Sequence, residues 1–211
     1  MTARIARSFD LQMGVHFTGA FYMNLYDIDL QFNVETESIK EQNIALERIK
    51  FYLSECLEQS ILIHDKEEDA IEKYMAANLR VCIIPEEPYD QIIGILLLTK
   101  LNAITEGKLV ITDINIGSRM SDGVTCLHSL EDNPGPFLLK GWWNDNNTKI
   151  NDYKYSPRNK KIVKLLKPVE WSEIYLDYTS SDDQSLGDQI ITNDIANDIV
   201  YINFDNNKQG K

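Results

Sequence analysis

The spacing of apolar residues changes period along the chain, and the changes mark out its elements. From Val15 to Thr36 the period is two. Tyr26, Ile28, Leu30, Phe32 and Val34 fall on one face, and Asp27, Asp29, Gln31, Asn33 and Glu35 on the other. That alternation predicts a half-buried strand. Ser38-Ile39-Lys40-Glu41 has capping-box spacing, and Ile44, Ala45, Ile49, Tyr52, Leu53, Cys56 and Leu57 then repeat at helical intervals to about Gln59. Ile61-Leu62-Ile63 reads as a short strand. Asp65 and Glu68 open a second helix through Ala70, Ile71, Tyr74 and Met75, and Asn78 is its stop. Leu79 to Ile84 is a buried strand ended by Pro85.

Glu86 to Asn115 organises the rest. Ile92 to Leu98 is the longest apolar run, broken by Gly94, and a helix apolar on several faces is normally buried. Pro88 suits a first turn, Asp90 the positive end of the helix dipole, and Gly107 a left-handed stop. A strand from Leu109 to Ile116, a turn over 117–123 and a strand from Val124 to Leu130 follow. The first fourteen residues predict no element, and Phe17 to Phe21 is a strand or a bulge. These elements predict an α+β fold: a mixed or antiparallel sheet with three helices packed on one face, followed by a C-terminal extension.

Composition divides the chain. Residues 1–140 carry 12 basic and 22 acidic groups, a balance of −10, and residues 141–211 carry 9 and 11, a balance of −2. An acidic body argues against phosphate-backbone binding across its surface. The expected domains are an α+β unit over 1–143 and a charged extension over 144–211. The extension is bipolar: Lys149 to Lys167 holds seven basic residues and one acid, Glu170 to Asp205 nine acids and no base. Arg158, Lys160, Lys161 and Lys164 form a basic strip that reads as an amphipathic helix, docked on the acidic body or on a partner. Neighbours on a strand point to opposite faces, so Trp142 and Trp143 are read as one core residue and one clamp for the extension or a partner. With Trp171 and Tyr175 they complete the candidate partner-binding set.

Chemistry is sparse. There is no GxGxxG, no P-loop and no nucleophile elbow. Cys56, Cys82 and Cys126 lie in apolar segments and make no disulfide framework, so a reducing cytoplasm is expected. Cys126 and His128 share a strand face without the second ligand pair that zinc requires. His16, His64 and His128 are isolated. Glu86, Glu87 and Asp90 fit a helix N-terminus, and Asp113 is expected to face inward, paired with Arg80 or Arg119. No cofactor, metal or membrane partner is expected. Met13 to Thr18 fits a myristoylation pattern only if translation starts at Met13 rather than Met1.

The segment Arg80 to Ser118, centred on Pro85-Glu86-Glu87-Pro88-Tyr89-Asp90-Gln91, resembles uncharacterised proteins of large contractile-tailed phages, over at most residues 20–143. The resemblance implies an accessory or structural phage protein and brings no activity or site residues. The expected function is thus a non-enzymatic interaction protein, binding a protein partner through a Trp-marked edge and its extension. The alternatives are a metal-dependent hydrolase using Glu87, Asp113 and Asp122, and a nucleic-acid accessory using residues 158–167.

Overall fold

A computed structural model describes residues 4–156, 161–164 and 169–176, with side chains described over 4–152 and 169–176. β1 (Arg4–Phe17) and β2 (Ala20–Val34) form a long antiparallel hairpin, in register from Arg4 opposite Asn33 to Phe17 opposite Ala20. The turn is two residues, Thr18 at φ 51° and Gly19 at φ 75°. Positive φ at both positions is what a hairpin of right-twisted strands needs. β1 occupies residues for which the apolar pattern predicts no element. Its alternation, with Phe9, Leu11, Met13 and Val15 on the core side, is interrupted there by Arg7.

α1 (Ile39–Phe51) starts at Ser38, whose side chain accepts the Glu41 N–H, and runs on into a π-helical segment, Tyr52–Leu57. Glu41 does not close the box. Its carboxylate takes the Thr36 hydroxyl at 2.5 Å and Lys108 at 2.9 Å. β3 (Ile61–His64), α2 (Glu68–Ala76) and β4 (Val81–Ile84) form a parallel strand–helix–strand unit beside β1. α3 (Asp90–Thr105), β5 (Leu109–Ser118) and β6 (Thr125–Ser129) complete a six-stranded mixed sheet in the order β4-β3-β1-β2-β5-β6. The fold is α+β, as the periodicities predict.

α1 and α3 cover one face of the sheet, where Leu11, Met13, Tyr26, Ile28, Leu30, Phe32, Ile114 and Ile116 are buried. α2 lies on the other face, correcting the expectation of one helical layer. Ile71 packs there on Ile63, Val81 and Ile83. Alternation along β3 and β4 sends those residues opposite to Leu62 and Cys82. α3 is buried along its length through Ile93, Leu96, Leu97, Leu101 and Ile104, each contributing about 1.5–3 kcal/mol of gross burial. It begins later than expected, with Pro88 ahead of the N-cap Tyr89, and ends with both Glu106 and Gly107 at positive φ.

The boundary at 143/144 is not where packing stops. Asn147 and Asn151 are buried, and Trp171 and Leu176 belong to the main core. Residues 161–164 form β8 (Lys161–Lys164), paired with β7 (Tyr153–Ser156), so this part of the basic strip is a strand and not a helix. Ile162 and Val163 are β-branched and favour that outcome.

Candidate functional site

A cleft of about 450 Å³ opens where the N-terminus of α3 meets the end of β5 and the β1–β2 hairpin. Its walls are apolar: Phe17 and Tyr89 meet edge to face at 4.9 Å, and Met120 and Val124 stand opposite, both more than half exposed. Its floor is polar and already paired. The Ser118 hydroxyl donates to Asp90 Oδ2 at 2.7 Å. Asn24 Oδ1 accepts the Leu25 N–H at 3.0 Å. Burial holds the Tyr26 phenol protonated far above its usual range, although a hydrogen bond with Asn24 works the other way. The Ser121 oxygen lies 2.7 Å from the Ser118 carbonyl and 2.6 Å from that of Val124. Burial likewise raises the Cys126 thiol. Asp90 is the one formally charged lining residue.

The acids proposed for hydrolysis do not meet. A bulge in β5 leaves Thr112 unopposed, so Asp113 pairs with Gln31 while Ile111 pairs with Phe32. That extra residue turns Asp113 to the open sheet face, away from the side carrying Ile111. Glu87 sits on the covered side against His64, with Oε1 3.5 Å from Nδ1. Asp122 occupies an exposed left-handed turn. Arg80, expected to pair with Asp113, instead caps the carbonyls of Glu55, Cys56 and Glu58 at the end of the π-helical segment. Among the described residues no group of three or more His, Cys, Asp or Glu side chains could hold a metal ion. His16 Nδ1 meets the Tyr74 hydroxyl at 2.9 Å on the α2 side of the sheet, while His64 faces the other side, so the two histidines do not form one site.

The tryptophans do not mark a free edge. They lie on a short 3-10 turn, Trp142–Asn144, and not on a strand, so both are buried, at 1% and 8% exposure. Trp142 Nε1 donates to the Ile83 carbonyl, and Trp143 Nε1 to those of Leu139 and Phe137. Trp171 is buried too, edge-on to Phe51, beneath the Arg48 guanidinium, and bonded to the Asn146 carbonyl. Tyr175 is 72% exposed and remains open to a partner. Arg158 and Lys160 lie outside the described residues, as do the side chains of Lys161 and Lys164.

Lys100 was not anticipated at all. It is fully buried in α3, donating from Nζ to the carbonyls of Trp142 at 3.0 Å and Asp145 at 2.7 Å. Burial pushes its ammonium down to about 7. A lysine at a buried spacing of α3 was the available signal.

No family model matches the chain, and no curated protein matches it. An uncharacterized protein of Wolinella succinogenes, known from a crystal structure, is similar at 10% identity with a TM-score of 0.46, covering 62% of this chain and 99% of that one. No described helix is long and apolar enough to cross a membrane.

Proposed function

We propose a non-enzymatic accessory or structural protein that holds a protein partner in the cleft at the head of α3. The carrying observation is the contrast within that cleft: half-exposed apolar walls over a floor whose polar groups are bonded to one another. Such a surface rewards an apolar side chain and offers few unpaired groups to a polar metabolite. The partner's anchor is an aromatic or aliphatic residue, and a basic neighbour is favoured by Asp90. The setting is a reducing cytoplasm, which suits three free thiols, one of them, Cys56, pushed up to about 11 by burial.

The test is selection of binders from a displayed random peptide library. Recovered peptides should carry an apolar anchor beside Lys or Arg and should lose binding to a Met120→Lys variant. Peptides that bind Met120→Lys as well as they bind the parent would contradict the cleft as the site.

A further inference from the structure

The two edges of the sheet are treated differently. In β4 the carbonyls that face away from β3 belong to Val81 and Ile83. Both are taken, by the Asn151 amide at 2.7 Å and the Trp142 indole at 2.8 Å. β6 is the other edge. The Leu130 N–H donates to the Thr112 carbonyl, so Leu130 points its backbone groups at β5, and with alternation so do His128 and Cys126. Ser129, Leu127 and Thr125 point theirs outward. Asp132 satisfies Ser129, accepting its N–H at 2.7 Å and donating its own N–H to the Ser129 carbonyl at 3.1 Å. Among the described residues nothing pairs with the outward N–H and C=O groups of Thr125 and Leu127.

Natural edges are usually blunted by a charge, a proline or a bulge. The run Val124 to Leu130 has no acid, no Lys or Arg and no proline, in a chain of net charge −12. Leu127 is 68% exposed at its centre, flanked by exposed Val124 and Leu130. Much of the remaining surface repels a like copy, whereas the strand itself carries no acid to do so.

We propose that β6 pairs antiparallel with β6 of a second copy, with Thr125 opposite Leu127 and the two-fold axis at Cys126. This register is set by the free groups. Two outward residues per copy supply two donors and two acceptors each, and pairing 125 with 127 in both directions joins all of them in four hydrogen bonds. A two-fold contact is self-complementary in this sense. The result is one continuous sheet of twice six strands. Cys126 then faces Cys126 of the second copy in a non-hydrogen-bonded pair, where Cα atoms lie about 4.5 Å apart, inside the disulfide range. Val124 and Cys126 also line the cleft, so each cleft would lie beside the seam. The self-pairing stands on the edge alone and does not depend on the cleft binding a partner.

Light scattering on the full chain should give twice 24.3 kDa, and Leu127→Lys should give a single-chain mass with unchanged circular dichroism. Diamide, which accepts the two electrons and two protons released by two thiols, should link the parent into a covalent dimer. Cys126→Ser should stay dimeric by light scattering yet fail to link. The register also sets the Asp122 turn of one copy near the Leu130–Asp132 turn of the other, so salt should strengthen association. A single-chain mass at every protein concentration overturns the proposal, even if the Thr125 and Leu127 amides are protected from exchange. So does a dimer that survives Leu127→Lys.

Discussion

Trp142 Nε1 sits 2.8 Å from the Ile83 carbonyl, which closes the outer edge of β4 with a side chain 59 residues further along the chain. The bond joins two jobs in one residue: the ring fills the core and the N–H satisfies a backbone group that solvent no longer reaches. Trp142→Phe keeps most of the ring and leaves that carbonyl unpaired. Denaturant unfolding should show a loss of about 1–3 kcal/mol.

Contacts of the same kind tie residues 145–176 to the sheet and to α3. Truncation after Asn144 removes the Asp145 carbonyl that Lys100 uses, the Asn151 cap on β4, and Trp171. Truncation after Leu176 keeps all three. Thermal melts should therefore show the longer fragment near the parent and the shorter one strongly destabilised. Equal melts would mean that residues 145–176 are not part of the folding unit.

How far the sequence could lead is clear from particular residues. Ser38, Asn78 and Gly107 announced helix ends because capping and left-handed turns depend on local chemistry. β2 and α3 were legible because one face, or nearly all faces, had to be apolar. Asp113 was misplaced because one bulged residue, Thr112, reverses every later side chain on β5, and nothing in the local pattern marks it. Strand alternation does not govern the tryptophan pair, because Trp142 and Trp143 lie on a 3-10 turn that nothing in the local pattern marks. The cleft was illegible for a different reason: Phe17, Tyr26, Asp90 and Ser118 come from separate elements and meet only through the sheet order.

Lys100 makes stability depend on pH in a definite direction. Its folded pKa of about 7 lies below the usual 10.5, so the unfolded chain binds more protons between those values. Stability should then rise with pH above about 7. The rise should stop near 9, where the buried Cys56 and Cys82 thiols, both raised by burial, begin to ionise in the unfolded chain alone. Lys100→Met should flatten the rise between pH 7 and 9 in urea midpoints. An equal slope in both proteins would show that another group is responsible.

Gly94 interrupts the most apolar helix for a steric reason. A Cβ there would lie 2.7 Å from His128 Cδ2 and 2.9 Å from Ile116 Cγ2. Gly94→Ala gains about 1 kcal/mol of helix propensity, but overpacking costs about 1–3 kcal/mol, so a net loss of stability is expected. His128→Ala should relieve part of that clash, and a double-mutant cycle should return a favourable coupling. Strict additivity would mean that His128 does not set the approach of α3 to β6.

The most direct measurement of the partner-binding account is amide chemical-shift mapping of a library-selected peptide on the full-length chain. Shifts should concentrate at Phe17, Tyr89, Asp90, Ser118, Met120 and Val124, the residues around the head of α3. Shifts gathered instead on the open sheet face around Asp10, Asp27 and Asp29, with the cleft unmoved, would contradict it.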